Sequence, residues 1–244
     1  MKRFLLVPLI ADEVSIARYQ VQAAHSRPGE EIAVDLRTTH GFGDGLGELV
    51  HEFATTAGGN GQSLSVLTTP EGLPDGLIHD SIPRFTGLEE CLSSRLGMPD
   101  SLPCTVQLTL PTALDDLPPL RKYLASVQAH LVADEDSMPV EMLVDEVCQN
   151  AIENSPSNRN HFEVCFMVEE TGVRIEVSNI SDDSIVPERI MKKRLDSFDD
   201  SGTYLGERGR GLFLIARLAD DLQIRTDDER ITVIVSRRFG SASP

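Results

Sequence analysis

Long apolar runs are missing from this sequence. No stretch approaches the ~18 apolar residues that a membrane-spanning helix needs, so we expect no membrane span. The opening Met-Lys-Arg and the apolar run after it imitate the start of a signal peptide. Pro8 interrupts this run, Asp12 and Glu13 end it, and no small-residue cleavage site follows, so we interpret it as a strand. We therefore expect a cytoplasmic protein without a membrane partner.

Cysteine and histidine are few and show no metal-binding spacing. The six histidines form no HxxxH or HxH pair, which argues against a histidine metal site. The sequence also lacks the Gly-x-Ser-x-Gly signature of a serine hydrolase. The four cysteines form no CxxC pair, and their apolar surroundings predict buried, reduced thiols. They are Cys91, Cys104, Cys148 and Cys165.

Basic residues are scarce relative to acidic ones. The chain has 39 Asp and Glu against 22 Lys and Arg, which gives a formal charge of -17 at pH 7. A field of this sign repels phosphate backbones and anionic membrane surfaces, so we expect no nucleic-acid partner. With 40% hydrophobic and 25% charged residues, the composition is that of a soluble globular protein with enough apolar material for hydrophobic cores.

Length and turn residues predict two α/β domains. A chain of 244 residues is long for one ordinary domain, and the proline-containing stretch 98–104 is typical of a linker. We place a first domain at 1–97 and a second at 105–240. In the first, strands alternate with helices, which favours a sheet covered by helices. Its expected strands are 4–10, 32–36 and 64–67, and its expected helices are 12–24, 46–56 and 88–96.

The second domain is also a layered α/β structure, with helices on one face. Its expected strands are 105–110, 162–169, 173–179, 222–226 and 230–237, and its expected helices are 117–131, 138–154 and 212–219. A Thr171-Gly172 turn predicts a hairpin. Ser137 is expected to cap the helix that starts at 138, and Glu141 favours its positive end.

Three polar residues mark one face of the helix at 138–154. Glu146, Asn150 and Asn154 recur every four residues, so they project from the same side. An amide oxygen can ligate a hard divalent cation that phosphates already hold, and a carboxylate one turn away can orient or deprotonate a nucleophile. A solvated polar face is the simpler interpretation, and the spacing alone does not exclude it.

A glycine cluster precedes the helix at 212–219. Residues 206–212 read GERGRGL; such glycines let the backbone approach a ligand closely, and a helix start favours an anion. Arg208 and Arg210 would add positive charge beside the same anion. A flexible turn uses the same residue types, and the dinucleotide-binding fingerprint fits poorly because no βαβ unit with a ribose-binding acid surrounds the cluster.

The order of these features resembles one known family. Residues 105–238 are similar to the GHKL-type ATP-binding domain of gyrases, chaperones and sensor histidine kinases, and most closely to its anti-sigma-factor serine kinase branch. The similarity is carried by residues 109–117, which read TLPTALDDL, with Arg121, by residues 145–152, which read DEVCQNAI, and by residues 209–215, which read GRGLFLI. The resemblance implies the GHKL α/β sandwich for the second domain.

The resemblance also implies a site for ATP and Mg²⁺. In this site Asn150 would bind the metal, and Glu146 would act as a catalytic base or position a water. The phosphates would be surrounded by Gly209, Gly211 and Leu212. The other nucleotide-binding residues would be Asn154, Arg208, Arg210 and Thr232. The stretch 181–204 would form a lid over the nucleotide.

One motif of the family is missing. Its Asp-x-Gly-x-Gly motif, whose aspartate accepts a hydrogen bond from the adenine amino group, should follow the second hairpin strand, where residues 177–183 read VSNISDD. Asn179 is the best match for the aspartate. Its carbonyl oxygen can accept the same bond, but it has no charge and the two glycines are absent. The alternative is an ordinary turn residue at a strand end. Asn154 also replaces a histidine that is frequent in the branch.

The first domain resembles the STAS domain of anti-sigma-factor antagonists. The similarity lies in residues 32–36, 43–49 and 64–67, and in the helix at 88–96. In that family a phosphorylatable serine stands at a helix start, and here Asp44 takes its place. A carboxylate cannot be phosphorylated, but its fixed charge would imitate the phosphorylated state, favoured by about 0.3–1 kcal/mol at a helix start. An ordinary helix-capping aspartate is the alternative.

Together the two resemblances predict a regulator of the partner-switching type. It would act through nucleotide-controlled contacts with a sigma factor or a STAS-type antagonist, and homodimers are frequent in the resembled branch. If it transfers phosphate, it is a serine/threonine protein kinase in which Glu146 assists a partner's serine hydroxyl. The alternative is a non-catalytic interaction scaffold with a degenerate nucleotide site. A histidine-kinase-type phosphotransfer protein ranks last, because no dimerisation helix pair with a phosphorylatable histidine is evident.

Overall fold

The structure is a computed structural model. It describes residues 1–8, 29–37, 46–71, 78–132, 137–155, 161–180, 210–227 and 230–240. These residues fall into two compact units, the first within 2–97 and 108–111, and the second within residue 1, 98–107 and 112–244. Both units combine strands with helices, which confirms the α/β class. The domain limits 1–97, 98–104 and 105–240 stay a prediction.

Parallel strands form the sheet of the first unit. The strands are β1 (Lys2–Pro8), β2 (Glu31–Asp35), β3 (Ser63–Leu67) and β4 (Arg84–Phe85), and the helices are α1 (Leu46–Gly59) and α2 (Leu88–Leu96). Across the sheet the order is β4-β3-β2-β1, and each strand is parallel to its neighbour. In β2 and β3 every position after the first is buried, as expected for a parallel sheet covered on both faces.

Apolar side chains of α1 pack on this sheet. Val50, Phe53 and Ala57 recur at helical spacing and share one buried cluster with side chains of β2 and β3. At the end of β2, the buried Asp35 carboxylate accepts hydrogen bonds from Nε and Nη2 of Arg37 at 2.8 and 2.6 Å. This bidentate contact offsets the cost of removing a carboxylate from water, so the ion pair stabilises the end of the strand.

The second unit combines an antiparallel sheet with helices. Strand β5 (Cys104–Pro111) begins in the second unit, and its last four residues belong to the first. The other elements of the second unit are a 3-10 turn (Leu114–Asp116), α3 (Leu117–Leu131), α4 (Met138–Glu153), β6 (His161–Glu169), β7 (Gly172–Ile180), α5 (Arg210–Leu218), β8 (Asp221–Asp227) and β9 (Arg230–Arg238). The strands β6, β7, β9 and β8 follow one another across the sheet, and each is antiparallel to its neighbour. This arrangement agrees with the predicted hairpin of β6 and β7.

The two faces of this sheet differ in polarity. Along β6 and β7 every second side chain is buried, and α4 packs against both strands. The other face carries polar pairs. There, Arg230 donates two hydrogen bonds of 2.9 Å to the carboxylate of Glu163. One face of the sheet therefore forms the core with the helices, and the other is polar.

Most predicted elements are observed with small changes at their ends. The helices predicted at 88–96 and 117–131 have these bounds in the structure, and α5 begins at Arg210 rather than at residue 212. The sequence did not predict β4 or the 3-10 turn, which are only two and three residues long. The predicted helix at 12–24 and the predicted lid at 181–204 lie outside the described residues.

The predicted cap of α4 is wrong in one detail. Ser137 occupies the N-cap position, but its side chain makes no capping hydrogen bond to the backbone. Its hydroxyl instead donates to a carboxylate oxygen of Glu141 at 3.3 Å. Ser137 also has a helical backbone conformation, whereas a capping side chain normally requires an extended one.

All four cysteines are free thiols, as predicted, but only Cys91, Cys104 and Cys148 are buried; the predicted burial is wrong for Cys165, which is half-buried in β6. Burial raises the pKa of Cys91 to about 11, and it also raises the pKa of Cys148. Both thiols therefore stay protonated at neutral pH and are poor nucleophiles. Among the residues that the structure describes, no helix is long and apolar enough to cross a membrane.

Gly172 allows β7 and β9 to pair closely. A Cβ at this position would lie 2.2 Å from the backbone oxygen of Arg237. Because Gly172→Ala must displace paired backbone, we expect the free energy of unfolding to fall by about 1–3 kcal/mol, measured by urea denaturation. The control is Thr171→Ala, an exposed position in the same turn, which should change it by less than about 0.5 kcal/mol. Equal stability of the two variants would contradict the close approach.

Candidate functional site

Glu146 and Asn150 lie beside the buried stripe of α4. Leu143, Val147 and Ala151 are buried and hold the helix on the core, whereas Glu146 and Asn150 are half-buried. Because the two polar residues are one turn apart, they stand next to each other on the helix. They lie at the border of the core, where a bound molecule can reach polar groups that are largely shielded from water.

Gly211 brings the first turn of α5 against these two residues. A Cβ on Gly211 would lie 2.2 Å from Oε2 of Glu146 and 3.4 Å from Nδ2 of Asn150. The absence of a side chain therefore lets α5 approach α4, and the two helices pack on each other. The first turn of a helix has backbone N–H groups without partners inside the helix, and such groups favour an anion. A carboxylate, a carboxamide and a helix start thus meet at one place.

Asn150 carries a polar atom that needs a partner. Its Nδ2 is buried and makes no hydrogen bond within the described part of the chain. A buried donor without a partner costs about 1–3 kcal/mol, so a ligand that supplies an acceptor is favoured here. Rotation of the carboxamide by half a turn would present Oδ1 instead, which is a suitable ligand for a hard divalent cation. This amide and the helix start beside it fit a metal ion together with a phosphate group.

Asn154 makes a different interaction from Asn150. It ends α4, and its Nδ2 donates to the backbone oxygen of Asn150 at 2.7 Å. The residue is exposed. Its carboxamide nitrogen is therefore used to close the end of the helix, and the structure does not bring it to Gly211 as it does Asn150.

Asn179 is buried at the end of β7 and contacts the end of α4. Its Nδ2 donates to the backbone oxygen of Ala151 at 3.1 Å and to Oγ of Ser155 at 3.3 Å. No motif or spacing in the sequence marks Ser155 as a functional candidate. The only signal was its position, just after the helix and one residue beyond Asn154. The contact joins residues 24 positions apart, which spacing within one helix does not reveal.

The structure does not bring Thr232 to Asn179. Thr232 pairs with Ser178 between β7 and β9, and their hydroxyl oxygens are 2.8 Å apart. Neighbouring residues of a strand point to opposite faces of the sheet. Thr232 and Ser178 therefore lie on the polar face, whereas Asn179 is on the face that packs against α4. The structure thus places Thr232 on the face opposite Asn179, and its nucleotide-binding role stays a prediction.

An ion pair fixes the helix next to Glu146. Nη1 of Arg121 on α3 donates to Oδ2 of Asp145 at 3.3 Å, and its Nε lies 3.8 Å from Oε2 of Glu141. Arg121 is part of the family-like segment of α3, but the sequence does not show this pairing because the partners lie on two helices. The pair joins α3 to α4 and offsets part of the negative charge beside the candidate site.

Several predicted site residues lie outside the described part of the chain. They are Asp44, Arg208 and Gly209. Arg210 and Leu212 are in the first turn of α5 on either side of Gly211, and their side chains are also outside the described part. Within the described residues, no group of three or more His, Cys, Asp and Glu side chains could hold a metal ion.

A double-mutant cycle tests the contact between Gly211 and Glu146. In Gly211→Ala the new Cβ must displace the carboxylate, so we expect the free energy of unfolding to fall by about 1 kcal/mol. In a Glu146→Ala background this clash is absent, and the same change should be neutral or stabilising because alanine is the better helix former. Urea denaturation of the four proteins measures the coupling. Additive effects would show that the two residues do not touch.

Residues 110–237 match a family described as the histidine kinase-like ATPase domain. The match begins in β5, ends in β9 and includes α4 and α5, the helices that carry Glu146, Asn150 and Gly211. No curated protein matches the sequence. The family match covers more than half of the chain and agrees with the resemblance identified from the motifs. The chain therefore belongs to the histidine kinase-like ATPase domain family.

Proposed function

We propose that the second unit binds ATP with Mg²⁺ between α4 and the start of α5, and that the protein is an ATP-controlled regulator of the partner-switching type. The observation that carries this proposal is the approach of Gly211 to Glu146 and Asn150. This approach brings together a carboxamide of the kind that binds metal ions, a carboxylic acid and a helix start that can bind phosphate. Membership of the ATPase family supports the same ligand.

In the proposed site, Asn150 binds the metal ion through its carboxamide oxygen. The first turn of α5 binds phosphate oxygens through backbone N–H groups, with Gly209, Gly211 and Leu212 as the residues nearest to them. Bound Mg²⁺ neutralises phosphate charge and makes the terminal phosphorus more electrophilic. Arg208 and Arg210 would supply further positive charge. Asn179 binds the base through Oδ1, because its Nδ2 is already used by Ala151 and Ser155.

Glu146 is the proposed catalytic base of a serine/threonine kinase reaction. It accepts the proton of a partner's hydroxyl group as the hydroxyl oxygen attacks the terminal phosphorus. The new bond joins this oxygen to phosphorus, the bond to the bridging oxygen breaks, and ADP leaves with the electron pair. The carboxylate suits this role because it lies against Gly211 and is one turn from Asn150.

The proposed partner is a sigma factor or a STAS-type antagonist. Its support is the similarity of residues 43–49 to the phosphorylation segment of such antagonists, with Asp44 as a fixed negative charge. Two modules that usually meet as separate chains would have a high effective concentration within one chain. ATP binding would then control contacts between proteins.

A second candidate function is a non-catalytic scaffold. It is favoured by residues 180–183, which read ISDD in place of the glycines that follow the family's adenine-binding aspartate. The two candidates differ in a simple property. A regulator with a functional site binds ATP and is stabilised by it, whereas a scaffold with a degenerate site is not.

Asn150→Ala should abolish the stabilisation of the protein by ATP and Mg²⁺. For the parent chain, ligand at 100 times its Kd adds about 2.7 kcal/mol, which a thermal shift assay detects. Gln149→Ala is the matched control, because it removes an amide that bonds to Glu153 at 2.7 Å on the same helix. It should keep the shift. An equal shift in Asn150→Ala would refute the metal-ligand role, and no shift in the parent would support the scaffold.

Glu146→Gln should separate ATP binding from turnover. The amide keeps the size of the side chain but is no base, so we expect Kd for ATP to change by less than about threefold while ADP formation falls by 10²-fold or more. Binding is measured by calorimetry, and ADP release by a coupled assay. If parent and variant form ADP at the same rate, Glu146 is not the base.

A further inference from the structure

Asn179 takes part in a closed triangle of hydrogen bonds at the end of α4. The residue is 7% exposed. Its Nδ2 donates to the backbone oxygen of Ala151 at 3.1 Å and to Oγ of Ser155 at 3.3 Å. The hydroxyl of Ser155 in turn donates to the same oxygen of Ala151 at 2.7 Å. A side chain at the end of β7 is thus held by two groups of the α4 terminus.

The protons in this triangle fix the orientation of the carboxamide. A backbone carbonyl can only accept, and the single proton of Ser155 is already directed at Ala151. Both atoms that face Asn179 are therefore acceptors, so the amide atom between them must be the nitrogen. A flipped carboxamide would place Oδ1 against the carbonyl oxygen without a proton between them, which costs free energy in a buried site.

Oδ1 of Asn179 consequently points away from the triangle. Within the part of the chain that the structure describes, no hydrogen bond to this oxygen is present. An amide oxygen carries no proton and can only accept. Its complement is an N–H donor, such as the 6-amino group of adenine. Guanine has a carbonyl oxygen at the same position of the ring. This oxygen would face Oδ1 of Asn179, and neither atom could donate a proton.

We propose that Ser155 is a specificity-determining positioning residue, which with the carbonyl of Ala151 holds Asn179 so that the site selects adenine over guanine nucleotides. The proposal rests on the nucleotide site proposed above. It also explains why an amide stands where the resembled family has aspartate. In Asn179→Asp an acceptor oxygen would replace Nδ2, 3.1 Å from the oxygen of Ala151, and a charge would be buried in place of a neutral group.

Nucleotide selectivity tests the role of Ser155 in the full-length protein. The parent should bind ATP at least about 10-fold more tightly than GTP, measured by calorimetry with Mg²⁺, because the wrong base leaves polar groups unpaired. Ser155→Ala removes one contact of Nδ2 and should reduce the preference to within about threefold. Ser155→Thr keeps the hydroxyl and should retain it. Ser178→Ala is the matched control. It also replaces a serine by alanine, but its side chain lies on the face of β7 opposite to that of Asn179.

A second experiment needs no nucleotide. The stability of the ligand-free protein tests whether position 179 requires an amide. Asn179→Asp should lower Tm by about 5 °C, because a buried carboxylate oxygen then faces the carbonyl oxygen of Ala151 without a proton between them. Ser178→Ala should leave Tm within about 1 °C of the parent. The aspartate variant should also bind ATP about 10-fold more weakly, although it restores the residue usual in the family.

The outcomes distinguish this proposal from the function on which it rests. If the parent binds ATP but does not discriminate against GTP, or Ser155→Ala keeps the preference, the positioning role is wrong and the ATP site stands. If Asn179→Asp is as stable as the parent, the need for an amide is wrong. If the parent binds neither nucleotide, the proposed function and the base preference both fail. The Tm of Asn179→Asp relative to the parent then still tests whether position 179 requires an amide.

Discussion

The candidate site depends on one close approach between two helices. Because Gly211 lacks a Cβ, the first turn of α5 lies directly against Glu146 and Asn150 of α4. Without this approach, the acid, the amide and the helix start would be three separate polar features. With it, groups of different chemistry face one small volume at the border of a hydrophobic core. The core fixes their geometry, since α4 is held on the sheet by its buried stripe.

The negative net charge of the protein makes the short-range contacts of this site more important. A protein of net charge -17 repels a highly anionic nucleotide at long range, so binding must rely on groups at short distance. The start of α5 supplies partial positive charge, and a divalent cation on Asn150 would supply more. Arg121 offsets the carboxylate of Asp145 immediately beside Glu146. A protein with this excess of acidic residues can therefore bind a nucleotide only at a place where several positive groups offset the negative charge.

Local patterns predicted the helices and strands well, but contacts between elements were harder to predict. Spacing alone placed Glu146 and Asn150 on one side of α4, because helical geometry repeats every turn. The position of Thr232 could not be predicted in this way. It depends on the register between β7 and β9, and a register that pairs Thr232 with Ser178 puts it on the polar face. Ser155 was missed for a similar reason, since its role arises only from packing of the end of α4 against β7.

The departure of Asn179 from the family motif is consistent with its surroundings. Read from the sequence, the loss of an aspartate suggests a decayed site. In the structure the same position faces the backbone oxygen of Ala151, which can only accept, and the hydroxyl of Ser155, which already donates to that oxygen; an amide nitrogen satisfies both, whereas a carboxylate leaves the Ala151 contact without a proton. The match leaves one oxygen directed elsewhere, and this oxygen has the acceptor character that recognition of an amino group requires. An amide at this position therefore keeps the acceptor oxygen that the proposed adenine contact needs, and it carries no charge.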